Sequence, residues 1–182
     1  MAQTKYLALL RGINVGGNNI IKMVDLKACF ESMGFSDVVT FIQSGNVIFS
    51  TNEKSQDKLE KFIEERLSKE FNYQSKVVLI TDKHLEKTVE KAPKGFGTAP
   101  GDYRYDVIFL KSPLNADDAI KDIDIRKGID DAQAGDGVLY FSRLISKAGQ
   151  SYLKNVIKLP IYKNMTIRNW NTTTKLLALF KK

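Results

Sequence analysis

Long apolar runs are missing from this chain. Nowhere do 18 apolar residues follow one another, so no transmembrane helix is expected. Cysteine is almost absent as well. The single thiol, Cys29, excludes an intramolecular disulfide; in "LKACFESM" it falls on the apolar side of an expected helix and reads as a buried structural thiol. Only one histidine, His84, accompanies it, which excludes a Cys/His zinc site. The carboxylate pairs Asp117/Asp118, Asp122/Asp124 and Asp130/Asp131 read as surface charge or helix caps, not as magnesium ligands. No metal and no cofactor is therefore expected. His84 lies at a helix start and no G-x-S-x-G motif occurs, so nothing supports Ser-His or Cys-His nucleophilic chemistry. No catalytic residue is named by the sequence. The start, "MAQTKYLALLRG", lacks a basic segment followed by a long apolar run, and no signal peptide is read there. A cytoplasmic protein is expected.

Acidic residues are missing from the last quarter. No Asp or Glu follows Asp136, yet Arg143, Lys147, Lys154, Lys158, Lys163, Arg168, Lys175, Lys181 and Lys182 do. The formal net charge of +7 is thus divided very unevenly: +9 falls on the last 46 residues, and −2 on the first 136, where 19 basic residues meet 21 acidic ones. A field of one sign favours an anionic partner such as nucleic acid, a nucleotide or an acidic protein. The plainer reading is a basic face that keeps the chain soluble.

What is present is an ordinary globular chain: 182 residues, 43% hydrophobic and 27% charged, enough for one sizeable domain or two small ones. Residues 5–10, "KYLALL", read as a buried strand. "MVDLKACFESMGF" puts Leu26, Cys29, Phe30 and Met33 on one helical face, with Gly34 where a left-handed cap falls. "DVVTFIQSGNVIFST" reads as a hairpin turning at Ser44-Gly45-Asn46. "SQDKLEKFIEERLSKEF" reads as a helix with Ser55 as N-cap and Leu59, Phe62, Ile63, Leu67 and Phe71 as its apolar stripe. The strand "KVVLIT" completes the order βαββαβ, a ferredoxin-like unit. A helix over about 82–91 and the Gly/Pro-rich "APKGFGTAPGD" follow.

The order then repeats: a strand in "RYDVIFLK", a short helix capped by Asn115, a hairpin at Gly135-Asp136-Gly137, a helix from Ser151, a strand in "NMTIR" and a helix capped by Asn171. The expected fold class is α+β, with two ferredoxin-like subdomains related by internal duplication. The first occupies residues 1–92, a connecting loop 93–103, and the second 104–182.

Two segments hold the candidate chemistry. "LLRGINVGGNN" matches neither G-x-G-x-x-G nor a Walker loop. Its glycines still permit backbone amides to converge on an anion, with Arg11 and Lys22 flanking them and a helix starting near Met23. The rival is a glycine turn whose asparagines bond locally. "IRNWNTTTK" offers Arg168, Asn169, Trp170, three hydroxyls and Lys175 at a helix start, with the indole as a stacking surface. An RNA-recognition motif is poorly matched, since "KGFG" at 94–97 runs into a loop rather than a strand.

Taken together, "LLRGINVGGNNIIKMVDL", "QSGNVIFST" and "RNWNTTTKLLAL" resemble the bacterial family named domain of unknown function 1697. The resemblance spans nearly the whole chain and implies an α+β protein with two ferredoxin-like subdomains. It carries no activity, substrate or catalytic residue. From the residues, the expected site is polar and cationic and takes an anionic ligand of phosphate or nucleotide type. Its members are Arg11, Gly12, Asn14, Gly16, Gly17, Asn18, Asn19, Lys22, Gln43, Ser44, Asn46, Arg168, Asn169, Trp170 and Asn171. These blocks hold donors and cations, which suit phosphate better than acid–base work. Two alternatives stand beside it: sequence-nonspecific nucleic-acid binding through the basic last third, and a structural or partner-binding module. No membrane partner is expected.

Overall fold

The computed structural model describes residues 3–181. It divides into two compact units, Met1–His84 and Leu85–Lys182. The division falls inside the helix after the fourth strand, where composition placed the join at the Gly/Pro-rich 93–103.

The first unit runs β1 (Thr4–Leu10), α1 (Met23–Ser32), β2 (Ser36–Phe41), β3 (Asn46–Thr51), α2 (Gln56–Phe71) and β4 (Val77–Thr81). Its antiparallel sheet has the order β2-β3-β1-β4. Period-two alternation explains how this sheet is built. Tyr6, Ala8 and Leu10 of β1 join Val47, Phe49 and Leu79 under the helices, against Leu26, Cys29 and Phe30 of α1 and Leu59, Ile63 and Leu67 of α2. Phe35 and Phe49 pack with their rings tilted by 31° and 4.5 Å between centroids. The alternate residues Leu7, Leu9, Ile48, Val78 and Ile80 are buried too, so these strands read as apolar runs rather than as an in–out alternation. Gly34 has φ +83° and donates to the Glu31 carbonyl at 3.0 Å, closing α1 as expected. Phe62 departs from the expected stripe: it is 42% exposed, at the rim of the core.

α3 (Asp82–Glu90) leads into the second unit. There β5 (Tyr103–Leu110), α4 (Ala116–Ala119), β6 (Asp130–Ala134), β7 (Val138–Leu144), α5 (Leu153–Val156), β8 (Met165–Asn169) and α6 (Trp170–Phe180) follow. The sheet order β6-β7-β5-β8 repeats that of the first unit, and the fold class is α+β with two ferredoxin-like subdomains. The helices here are reduced. The one expected from Ser151 is a four-residue turn starting at Leu153, with 3₁₀ segments on either side. Ile108, Leu110, Leu139, Phe141 and Met165 form the core beneath α4 and α5. No described helix is long and apolar enough to cross a membrane.

Candidate functional site

In the first unit the glycine loop bonds to itself. Asn18 donates its amide to the Val15 carbonyl at 3.1 Å, across Gly16 and Gly17 at φ +59° and +78°, the φ signature of a mirror-image hairpin turn. Below it, the Asn14 amide donates to the Asn19 carbonyl at 3.1 Å. The Asn14 carboxamide clamps the loop. Its oxygen accepts from the Ile21 amide at 2.8 Å, and its nitrogen donates to the carbonyls of Ile21 at 3.0 Å and Gln43 at 2.8 Å. Asn19 Nδ2 donates to the Gly12 carbonyl at 2.9 Å. Asn46, fully buried, donates to the Phe41 carbonyl at 2.9 Å and to Ser44 Oγ at 3.0 Å. The asparagine donors therefore serve backbone carbonyls, an Asx-type use. Asn18, Lys22 and Gln43 are exposed, and Arg11 is half-buried, its amide donating to the Lys76 carbonyl at 3.0 Å.

The C-terminal candidates lie in the second unit, and their roles differ from the expected ones. α6 begins at Trp170, so Asn169 is its N-cap: with φ −60° and ψ 146° it stays extended, and its Oδ1 accepts from the Asn171 amide at 3.0 Å. Asn171, the expected cap, is an exposed residue in the first turn. Arg168 is 7% exposed. Its Nη1 donates to the Ile167 carbonyl at 2.9 Å, and burial lowers its pKa to about 10.

Asn169, Trp170 and Asn171 line a cleft of about 570 Å³ together with Gly97, Pro100, Tyr103, Arg104, Tyr105 and Ile145. The β5–β8 register explains why it opens there. β8 pairs with β5 only as far as Asn169 opposite Asp106, and the chain then turns into α6. Tyr103, Arg104 and Tyr105 continue past the end of their neighbour. Asn169 Nδ2 reaches back to the Tyr105 carbonyl at 3.3 Å.

An aromatic cluster shapes one wall. Phe96 meets Tyr105, Tyr140 and Trp170 edge-on, at 4.9, 5.3 and 5.2 Å, a favoured geometry for ring pairs. Gly97, at φ +82°, brings its Cα against the indole, and a Cβ there would run into Trp170 Nε1 and Cδ1. Tyr140 donates its hydroxyl to the Thr88 carbonyl at 2.7 Å, and burial pushes its pKa up to about 12. The segment "KGFG" is thus a lid on aromatic side chains, not a strand carrying them.

Charges sit beside the cleft. Arg104, Arg143 and Asp130 occupy one row across β5, β7 and β6. Asp106, two residues along β5 from Arg104 and 8% exposed, places Oδ2 3.8 Å from an Arg143 Nη. Among the described residues, Asp106 Oδ2, Asp130 Oδ1 and Arg143 Nε have no hydrogen-bond partner. Asp130 Oδ2 accepts from the amides of Arg126 at 3.0 Å and Tyr152 at 2.8 Å. Burial raises the Asp106 carboxyl above its ordinary pKa, and Arg143 and Arg104 pull it back only in part. No cluster of three metal-binding side chains occurs among the described residues.

Tyr103, Arg104 and Phe96 escaped the sequence reading. The available signal was "YRY", aromatic residues bracketing an arginine at a strand start; nothing in it shows that the neighbouring strand stops three residues short.

A profile of the family described as protein of unknown function (DUF1697) matches residues 3–140. The fold is similar to the solved structure of the conserved bacterial protein SP0830 from Streptococcus pneumoniae, with a TM-score of 0.84 and 25% identity over 100% of both chains. Among curated proteins no sequence matches the chain.

Proposed function

Given a chain that belongs to the family of proteins of unknown function DUF1697, we propose from its own geometry that it binds an anionic ligand of phosphate or nucleotide type in the second-unit cleft. The observation that supports this is the convergence of Arg104, Asn169, Trp170 and Asn171 on one cleft of about 570 Å³. Each group has a fitting role. Arg104 supplies a guanidinium, which pairs with oxyanions through two parallel N–H bonds. The first turn of α6 adds backbone amides and the positive end of its dipole. Asn171 is exposed at that turn and offers a carboxamide. Tyr103 and Trp170 offer ring faces to a planar group. The glycine loop of the first unit then serves to brace the connection from β1 to α1.

The basic last third favours a second reading, nonspecific contact with nucleic-acid phosphates. Lys147, Lys154, Lys158, Lys163, Lys175 and Lys181 are all exposed. The common strand order of the two units supports an internal duplication, and the lone buried Cys29 fits a reducing cytoplasm.

Trp170 is the only tryptophan, so its fluorescence reports on the cleft directly. Titration with inorganic phosphate and a nucleoside monophosphate should change that fluorescence saturably. Arg104→Ala should weaken binding about tenfold or more, the loss expected for a hydrogen bond to a charged group. Equal affinity in the variant and the parent would overturn this reading.

A further inference from the structure

Asp106 stands out as a buried carboxylate that neither caps a helix nor closes a turn. Its Oδ2 lies 3.8 Å from Arg143 and lacks a hydrogen-bond partner among the described residues. Two of its neighbours belong to the cleft. Arg104 shares its face of β5 two residues away, and Asn169 is its partner in the β8 register. Arg104 and Arg143 are themselves direct cross-strand partners, a like-charge pairing that destabilises a sheet unless a counter-charge lies beside it. Asp130 lies opposite Arg143 on β6, and Asp106, on the Arg104 side of the pair, is the second counter-charge.

Resting on the cleft as the anion site, we propose that Asp106 is a positioning residue for Arg104, and that an anion arriving at Arg104 drives a proton onto Asp106. While the cleft is empty, the Asp106 carboxylate shares the positive field of Arg143 and Arg104. A bound oxyanion takes Arg104 as its own partner and adds negative charge nearby. The carboxylate keeps Arg143 but loses the smaller support of Arg104 inside a poorly solvated site and accepts a proton from solvent, forming one O–H bond and no other covalent change.

The surroundings leave these two arginines as the charges that matter. From β7 comes Arg143, and beyond it on β6 lies Asp130. β8 offers uncharged Asn169. α6, packed on β5, carries only Lys175, which is exposed, and the charges of α4 and α5 (Asp117, Asp118 and Lys154) are exposed as well.

The sign follows from linkage. Burial already holds the Asp106 carboxyl above its ordinary value, with Arg143 and Arg104 opposing. Removing the Arg104 contribution moves it further up. Binding therefore takes up a proton between the free and bound pKa values, and affinity rises as pH falls through that window. Each unit of displacement corresponds to about a tenfold ratio between the low-pH and high-pH affinities.

Sulfate is the probe of choice, since it keeps its charge from mildly acid to mildly alkaline solution. Wild-type protein should bind sulfate more tightly at lower pH, and calorimetry in two buffers of different ionisation heat should show proton uptake. Asp106→Asn should bind with a flat pH profile and no uptake, and more tightly than wild type at the alkaline end, where the competing carboxylate is gone. A flat wild-type profile with no proton uptake overturns this proposal alone, as does a slope retained in Asp106→Asn. If that variant does not fold, the wild-type proton count decides. Absence of sulfate binding at every pH overturns the cleft reading and this one with it.

Discussion

At Gly45 a single hydrogen atom decides whether the first unit closes. A Cβ built there would lie 2.7 Å from Ile13 Cδ1 and 2.8 Å from Leu10 Cβ, and φ is +75°. Its carbonyl also accepts the Leu10 amide at 2.8 Å, so the hairpin tip cannot back away without losing that bond. Gly45→Ala combines a left-handed backbone with overpacking, and the two together should cost about 2–4 kcal/mol. Gly12→Ala, with nothing within 4 Å of the built Cβ, carries only the backbone penalty, about 1–2 kcal/mol. Urea midpoints of the two variants check the ranking; equal losses would show that the packing against Ile13 and Leu10 contributes nothing. The asparagines teach a related lesson. Asn14, Asn19 and Asn46 look like ligand donors in the sequence, yet their nitrogens bond backbone carbonyls, because a glycine-rich turn leaves carbonyls that need donors.

Among the elements, α2 carries a device that hydrophobic periodicity does not reveal. β4 is an edge strand, and an open edge is a template for unwanted pairing. Gln56, Glu60 and Glu64 recur every fourth residue on α2 and line that edge. Gln56 Nε2 donates to the Leu79 carbonyl at 2.8 Å. Glu60 Oε1 accepts from the Leu79 amide at 3.0 Å, and Glu64 Oε1 from the Val77 amide at 2.9 Å. Three side chains thus stand in for a neighbouring strand. Glu60, 5% exposed, is the sharpest test. Glu60→Leu leaves the Leu79 amide without this acceptor and should cost about 1–3 kcal/mol. Glu60→Gln keeps an acceptor oxygen and should cost less. Hydrogen exchange at the Leu79 amide reads the effect locally, and faster exchange in Glu60→Leu alone is the expected result.

On the scale of the whole chain, charge is the property that composition shows best and structure redistributes. Of the nine basic residues after Asp136, Arg168 is buried and Arg143 is half-buried beside Asp106, so these two do not belong to a surface field. Lys181 pairs with Glu86 at 2.6 Å, an exposed contact of little weight. On the second reading proposed above, the exposed lysines that remain make weak, nonspecific contact with polyanions. A random oligonucleotide should bind at low salt and release steeply as salt rises. Arg104→Ala should change that binding little, since the variant touches the cleft and not the lysines. Fluorescence anisotropy at two salt concentrations measures both effects; a large loss in the variant would move the nucleic-acid contact into the cleft.

The sequence by itself determined the fold class, the order of the strands and the helices of the first unit. Apolar period fixes which face of α1 and α2 is buried, and Gly34 and Gly45 mark turns wherever they occur. Less was legible in the second unit, where α4 and α5 are four residues each and a single turn leaves no periodic signal. The start of α6 was read two residues late because Asn169 and Asn171 are equally good caps; backbone conformation chose between them. Only tertiary structure decided the cleft proposed as the site. The cleft exists because β8 ends at Asn169 while β5 runs on through Tyr103. A strand's length relative to its neighbour is set by pairing across the sheet, not by the residues of either strand alone.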